Sequence, residues 1–227
     1  MKDLFVKICG ITRPEDADLA AELGAGALGF VFWPGSPRCV APDVARGIIR
    51  RSGPRVTSVG VFVDASPEEV TRIMDEVGLD VAQLHGHESP EYCRQLAKSL
   101  EKGDENLFRG DPEKKIPVPF FARLIKAIGL QDSEPVVLGE FDADVLILVD
   151  AHDPSRYGGT GRTVDWAAAR QVASMRKTIL AGGLNPENIT RAIDAVQPYG
   201  VDVSSGVESE PGVKDAARLR RFFEELQ

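Results

Sequence analysis

Leu4-Phe5-Val6-Lys7-Ile8-Cys9-Gly10-Ile11-Thr12-Arg13-Pro14-Glu15 is an apolar run that passes through a single glycine into a helix start. In an extended chain, period 2 puts Phe5, Lys7 and Cys9 on one face and Leu4, Val6 and Ile8 on the other. Gly10 turns the backbone, and Thr12, Pro14 and Glu15 then read as an N-cap, a proline in the first helical turn and a capping-box acid. The stretch is one strand-turn-helix unit with a lysine and a cysteine on the same strand face. The mouth of such a strand is where α/β enzymes carry their reactive groups.

The unit recurs eight times. Strands are expected at 4–9, 27–32, 57–63, 81–84, 120–125, 145–149, 178–180 and 200–204. Ser66-Pro67-Glu68-Glu69, Ser89-Pro90-Glu91 and Asn185-Pro186-Glu187 each read as a helix N-cap, a proline at the first helical position and an acidic first turn. Strands alternating with helices imply parallel pairing with right-handed crossovers, and eight units are the number that closes a (β/α)8 TIM barrel. An open doubly wound sheet is the alternative. The expectation is a single α/β barrel domain over residues 1–227. A charged, Gly- and Pro-rich stretch at about 101–119 breaks the rhythm and reads as a solvated excursion between helix and strand.

Composition narrows the partners. A net charge of -8 argues against nucleic acid and against an anionic membrane, both of which require a basic surface. An anionic small molecule then needs a locally positive pocket. Cys9, Cys39 and Cys93 are an odd number without CxxC spacing, which suggests neither a disulfide framework nor a zinc knuckle. The sequence shows no run of about eighteen apolar residues and no signal-peptide pattern, so a cytoplasmic protein is expected.

Several local patterns carry chemistry. On the sixth strand Leu146, Leu148 and Asp150 share a face, so Asp150 stands at its mouth as Cys9 does at that of the first. Alone, Asp150 reads as a capping or loop aspartate. The glycine loop at 156–163 lacks both the P-loop and the dinucleotide-binding spacing. Ala181-Gly182-Gly183-Leu184 and Val203-Ser204-Ser205-Gly206-Val207-Glu208 end the last two strands. In a barrel, two such small-residue loops make a phosphate site from backbone N–H groups. Arg38, after the second strand, brings a guanidinium suited to a carboxylate. His85-Gly86-His87-Glu88 invites a metal reading, but histidines at strand ends more often serve as hydrogen-bonding groups, and no metal site is expected.

Together, KICGIT (7–12), SPR (36–38), GVFV (60–63), QLHG (83–86), LVD followed by GGTGRTVDW (148–166), AGGL (181–184) and DVSSGVE (202–208) resemble the phosphoribosylanthranilate isomerases of tryptophan biosynthesis. The resemblance runs from the first strand to the eighth. It implies a TIM barrel and an Amadori rearrangement of N-(5-phosphoribosyl)anthranilate to the 1-deoxyribulose phosphate, without metal or organic cofactor. It places Cys9 on the general base and Asp150 on the general acid. Arg38 matches the residue that holds the anthranilate carboxylate, and Asp202 one that contacts the ribose. Lys7, Gly182, Gly183, Ser204, Ser205 and Gly206 complete the expected substrate-binding set. The partner implied is a phosphorylated small molecule, with a monomer expected and a homodimer as the alternative. Two departures stand out: Arg162 replaces a lysine common in the family, and the excursion at 101–119 is longer than usual.

The chemistry asks for such residues. Opening the furanose requires a proton on the ring oxygen, and forming the enolamine requires removal of one from the second ribose carbon. A free thiol of pKa near 8.5 is only about 3% thiolate at pH 7, so a base at Cys9 needs help from nearby positive charge. Two rivals remain at this stage. A metal-dependent sugar-phosphate epimerase barrel would use His85 and His87 but gives Cys9 no role, and a ligand-binding module predicts loss of one member of the acid/base pair.

Overall fold

The computed structural model describes residues 4–53, 56–102, 123–129, 135–150 and 165–227. Eight parallel strands run in chain order: β1 (Phe5–Cys9), β2 (Ala27–Val31), β3 (Thr57–Phe62), β4 (Val81–Leu84), β5 (Leu124–Gly129), β6 (Leu146–Asp150), β7 (Thr178–Ala181) and β8 (Gly200–Val203). Each pairs with the next, and β1 closes the sheet on β8 with Lys7 opposite Asp202. That closure excludes the open doubly wound sheet and makes the fold a TIM barrel. The helices are α1 (Pro14–Glu22), α2 (Pro42–Ser52), α3 (Pro67–Val77), α4 (Pro90–Lys102), α5 (Pro135–Glu140), α6 (Trp166–Met175), α7 (Ile189–Val196) and α8 (Ala216–Glu224). A 3₁₀ turn, Ser205–Val207, and a hairpin of β9 (Glu208–Glu210) and β10 (Val213–Lys214) lie between β8 and α8.

The alternation along each strand divides the core in two. Phe5, Ala27, Val59, Val81, Ile125, Leu146, Leu148 and Ile179 pack together inside the barrel. Val6, Ile8, Leu28, Ile147, Val149 and Val201 face the helices. α3 shows how a helix joins that outer layer. Ser66 Oγ accepts from Glu69 N, Pro67 starts the helix, and Val70, Ile73, Met74 and Val77 form the buried stripe at i, i+3, i+4 and i+7. Gly78 in the left-handed conformation ends it, its N–H bonded to the Met74 carbonyl. Burying each such side chain contributes about 1.5–3 kcal/mol before entropy is set against it.

Three local expectations are corrected. The fifth strand is Leu124–Gly129 and shares only Leu124 and Ile125 with the expected 120–125. Lys126, just beyond the expected end, sits buried inside the strand with Nζ 2.8 Å from Glu88 Oε2. Thr12 does not cap α1: Arg13 holds the N-cap position, and Thr12 Oγ1 donates to the Gly212 carbonyl. Asn185 heads a turn, accepting from Glu187 N, and α7 starts only at Ile189. The excursion beyond Lys102 and the glycine loop at 156–163, including Arg162, lie outside the described residues.

Candidate active site

The barrel lining changes character toward the strand C-termini. On β1 the inward face reads Phe5, Lys7, Cys9, and on β6 Leu146, Leu148, Asp150, so each strand passes from an apolar floor to a polar mouth. Cys9 packs with Val31 and Val61. Lys7 has no exposed surface, and its Nζ lies 2.9 Å from Asp202 Oδ1 on the neighbouring strand. Burial works against the Lys7 ammonium, but the charge of Asp202 and the contact with Cys9 outweigh it and hold its pKa above the usual value. For the Cys9 thiol, burial pushes the pKa up, and Lys7 opposes that rise without cancelling it, so the thiol stays above its usual value.

A second cluster lies beside the first. Arg38 Nε donates to Glu208 Oε1 and Oε2 at 2.9 and 3.1 Å, and Nη2 donates to Oε2 at 2.7 Å. Lys214 Nζ lies 2.8 Å from Glu208 Oε1 and also donates to the carbonyls of Cys9 and Ser204. The hairpin after β8 is thereby tied to the end of β1. Burial pushes the Glu208 carboxyl up, but hydrogen bonds from Arg38 and Lys214 more than reverse this and hold it below the usual range. Gly10 permits the arrangement: it has φ +75°, and a Cβ there would stand 2.6 Å from Arg38 Cδ.

Across the mouth, Asp150 Oδ2 lies 3.6 Å from His85 Nε2, with both side chains about one-third exposed (30% and 37%). His85 Nδ1 is 3.0 Å from the Nε2 of Gln83, a buried residue on β4. His87 turns away to Asp64, Nδ1 3.0 Å from Oδ2. The two histidines thus serve separate partners, and among the described residues no three His, Cys, Asp or Glu side chains converge as a metal site. After β7, Gly182 and Gly183 take φ of +90° and +66°. Gly206, in the 3₁₀ turn, packs so closely on this loop that a Cβ would collide with the Leu184 carbonyl. Ser204 is partly buried and Ser205 exposed at the same end.

The barrel so places Cys9, Asp202, Arg38, Asp150 and the two small-residue loops around one mouth. The sequence model of the N-(5'phosphoribosyl)anthranilate (PRA) isomerase family matches residues 6–225. The chain belongs to the phosphoribosylanthranilate isomerase family. The isomerase of Desulforudis audaxviator is 45% identical over 221 residues, 96% of each chain. The crystal structure of phosphoribosyl anthranilate isomerase from Thermotoga maritima has a TM-score of 0.80 and 40% identity, covering 98% of each chain. A further isomerase structure, in complex with reduced 1-(o-carboxyphenylamino)-1-deoxyribulose 5-phosphate, has a TM-score of 0.77 and 37% identity over 98% of this chain and 97% of that one.

Sequence reading of this isomerase left four site residues without a part in the chemistry. Gln83 and His85 were visible only inside a motif, because a strand-end histidine does not reveal which carboxylate it faces. Glu208 closed the DVSSGVE motif without a partner, and Lys214 went unread. Pro211-Gly212 was the available signal: a turn dipeptide between Glu208–Glu210 and Val213–Lys214 marks a hairpin that folds Lys214 back onto Glu208.

Proposed function

We propose that this chain carries out the family's Amadori rearrangement with Cys9 as general base and Asp150 as general acid. The supporting observation is that the two groups occupy the same position at the C-terminal ends of β1 and β6, both on the inward face, with β7 and β8 between them. A sugar lying across that gap presents its ring oxygen to one side and its second carbon to the other. Asp150 gives its proton to the ring oxygen as the ring bond to the first carbon breaks, leaving an iminium. Cys9 thiolate then takes the proton from the second carbon, and the enolamine that results tautomerises to the ketone.

The flanking groups divide the substrate between them. Glu208 engages Nε and Nη2 of Arg38, which leaves the Nη1 edge for the anthranilate carboxylate. Gly182, Gly183, Ser204, Ser205 and Gly206 supply backbone N–H groups for the phosphate, in loops held together by the contact of Gly206 with Leu184. Asp202 faces the ribose. A relative's complex with the reduced rearrangement product, which carries both a carboxylate and a phosphate, fits this division. The test is direct: freshly made phosphoribosylanthranilate is mixed with purified protein, and its anthranilate-type fluorescence should decay at a rate proportional to enzyme. Fluorescence that persists in the presence of folded protein would refute the reading.

A further inference from the structure

Gly29 stands in the middle of β2, opposite Cys9 on β1 and Val59 on β3. Its backbone is extended strand, so no left-handed conformation calls for glycine there. The demand is for space. A Cβ at this position would lie 2.8 Å from Cys9 Sγ and 3.1 Å from both Cε and Nζ of Lys7. Thiol and ammonium therefore converge on the volume that any other residue would fill with its side chain. Lys7 cannot swing away, because it is fully buried and its Nζ is fixed by Asp202 at 2.9 Å.

We propose that Gly29 and Lys7 are positioning residues for Cys9: the vacancy at Gly29 lets the Lys7 ammonium sit against the sulfur, so the thiolate forms beside a resident cation of the barrel. This rests on the reading of Cys9 as the base and gives Lys7 a part directed at the thiol instead of the substrate. Among the described residues, the charged groups facing Cys9 are Lys7 on its own strand, Asp202 on β8, Lys214 on β10 and Arg38 after β2. Glu208 pairs with the last two. Three cations against two carboxylates leave one positive charge, and a Cys9 thiolate balances it. During the reaction the proton from the substrate carbon goes to sulfur, and Lys7 keeps its own throughout.

Alkylation of Cys9 by iodoacetamide, followed by mass spectrometry of the Cys9 peptide between about pH 6 and 10, reads the thiolate without turnover. Cys93 is an internal control, since burial pushes its thiol up to about 11, and exposed Cys39 reports general reactivity. Gly29→Ala should move the Cys9 midpoint up by about one unit, slowing alkylation roughly tenfold at pH values below both midpoints. Lys7→Met/Asp202→Asn, which removes both charges and leaves no buried carboxylate unpaired, should do the same. Either folded variant whose Cys9 is alkylated at the wild-type rate at those pH values overturns the proposal. A Cys9→Ser enzyme that keeps its turnover would instead overturn the general-base reading, so the two failures are separable.

Discussion

Arg38 and Glu208 lie 170 residues apart in the sequence and meet in a forked ion pair, with Arg38 Nε 2.9 Å from Oε1 and Nη2 2.7 Å from Oε2. The pair joins the loop after β2 to the hairpin after β8 and brings Lys214 with it. Its orientation, more than its energy, is what a binding site requires.

That carboxylate should make stability depend on acid pH. The folded-state pKa of Glu208 is depressed relative to the unfolded chain. The stabilisation is therefore fully present above the unfolded value of about 4.3 and is lost as pH falls through the folded one. Glu208→Gln should cost about 3 kcal/mol at pH 7, the lower end for a broken buried pair because the amide oxygen still accepts hydrogen bonds. It should also flatten the fall in stability below about pH 4. Urea unfolding at pH 7 and at about pH 3.5 measures both, and an unchanged acid slope would contradict the assignment.

Arg38→Ala should act mainly on binding. A carboxylate contact remote from the transferred protons stabilises ground and transition states alike, so KM should rise more than kcat falls. Steady-state kinetics on phosphoribosylanthranilate separate the two parameters. Collapse of kcat at constant KM would move Arg38 into the proton-transfer chemistry.

Lys126→Met should destabilise the barrel and loosen the loop after β4, since Lys126 Nζ also donates to the Gly86 carbonyl at 2.6 Å, beside His85. The Lys126–Glu88 pair spans 2.8 Å, with side chains 5% and 2% exposed, and Glu88 also accepts from the N–H groups of Asp64 and Gly86. Removing the cation leaves a buried carboxylate, at a cost of about 3–5 kcal/mol and a Tm fall of roughly 6–20 °C for a chain of this size. Calorimetry decides, and an unchanged Tm would mean that the backbone donors suffice for Glu88.

These networks mark where the sequence was legible. The inward face Phe5, Lys7, Cys9 could be read because period 2 acts within one strand, and Asp150 followed from the same rule on β6. The barrel could be read because the unit repeats. What escaped depends on contacts between distant segments: the fifth strand continues past Ile125 because Glu88 pairs with a buried Lys126, and Thr12 looked like a cap until Gly212 took its hydroxyl. Glu208 and Lys214 needed the hairpin. Gly29 lies inside the expected 27–32 strand without a signal of its own, since only the positions of Lys7 and Cys9 show what its hydrogen makes room for.

The central claim is that a thiolate at Cys9 removes the substrate proton. Its most direct test is the turnover of Cys9→Ser, purified free of host isomerase. The hydroxyl keeps the size of the thiol but is far too weak an acid to ionise at neutral pH. General acid/base groups supply about 10²- to 10⁴-fold, so kcat should fall at least a hundredfold on the order of that scale, with KM little changed. Near-wild-type kcat in Cys9→Ser would contradict the account, because proton removal would then need no thiolate.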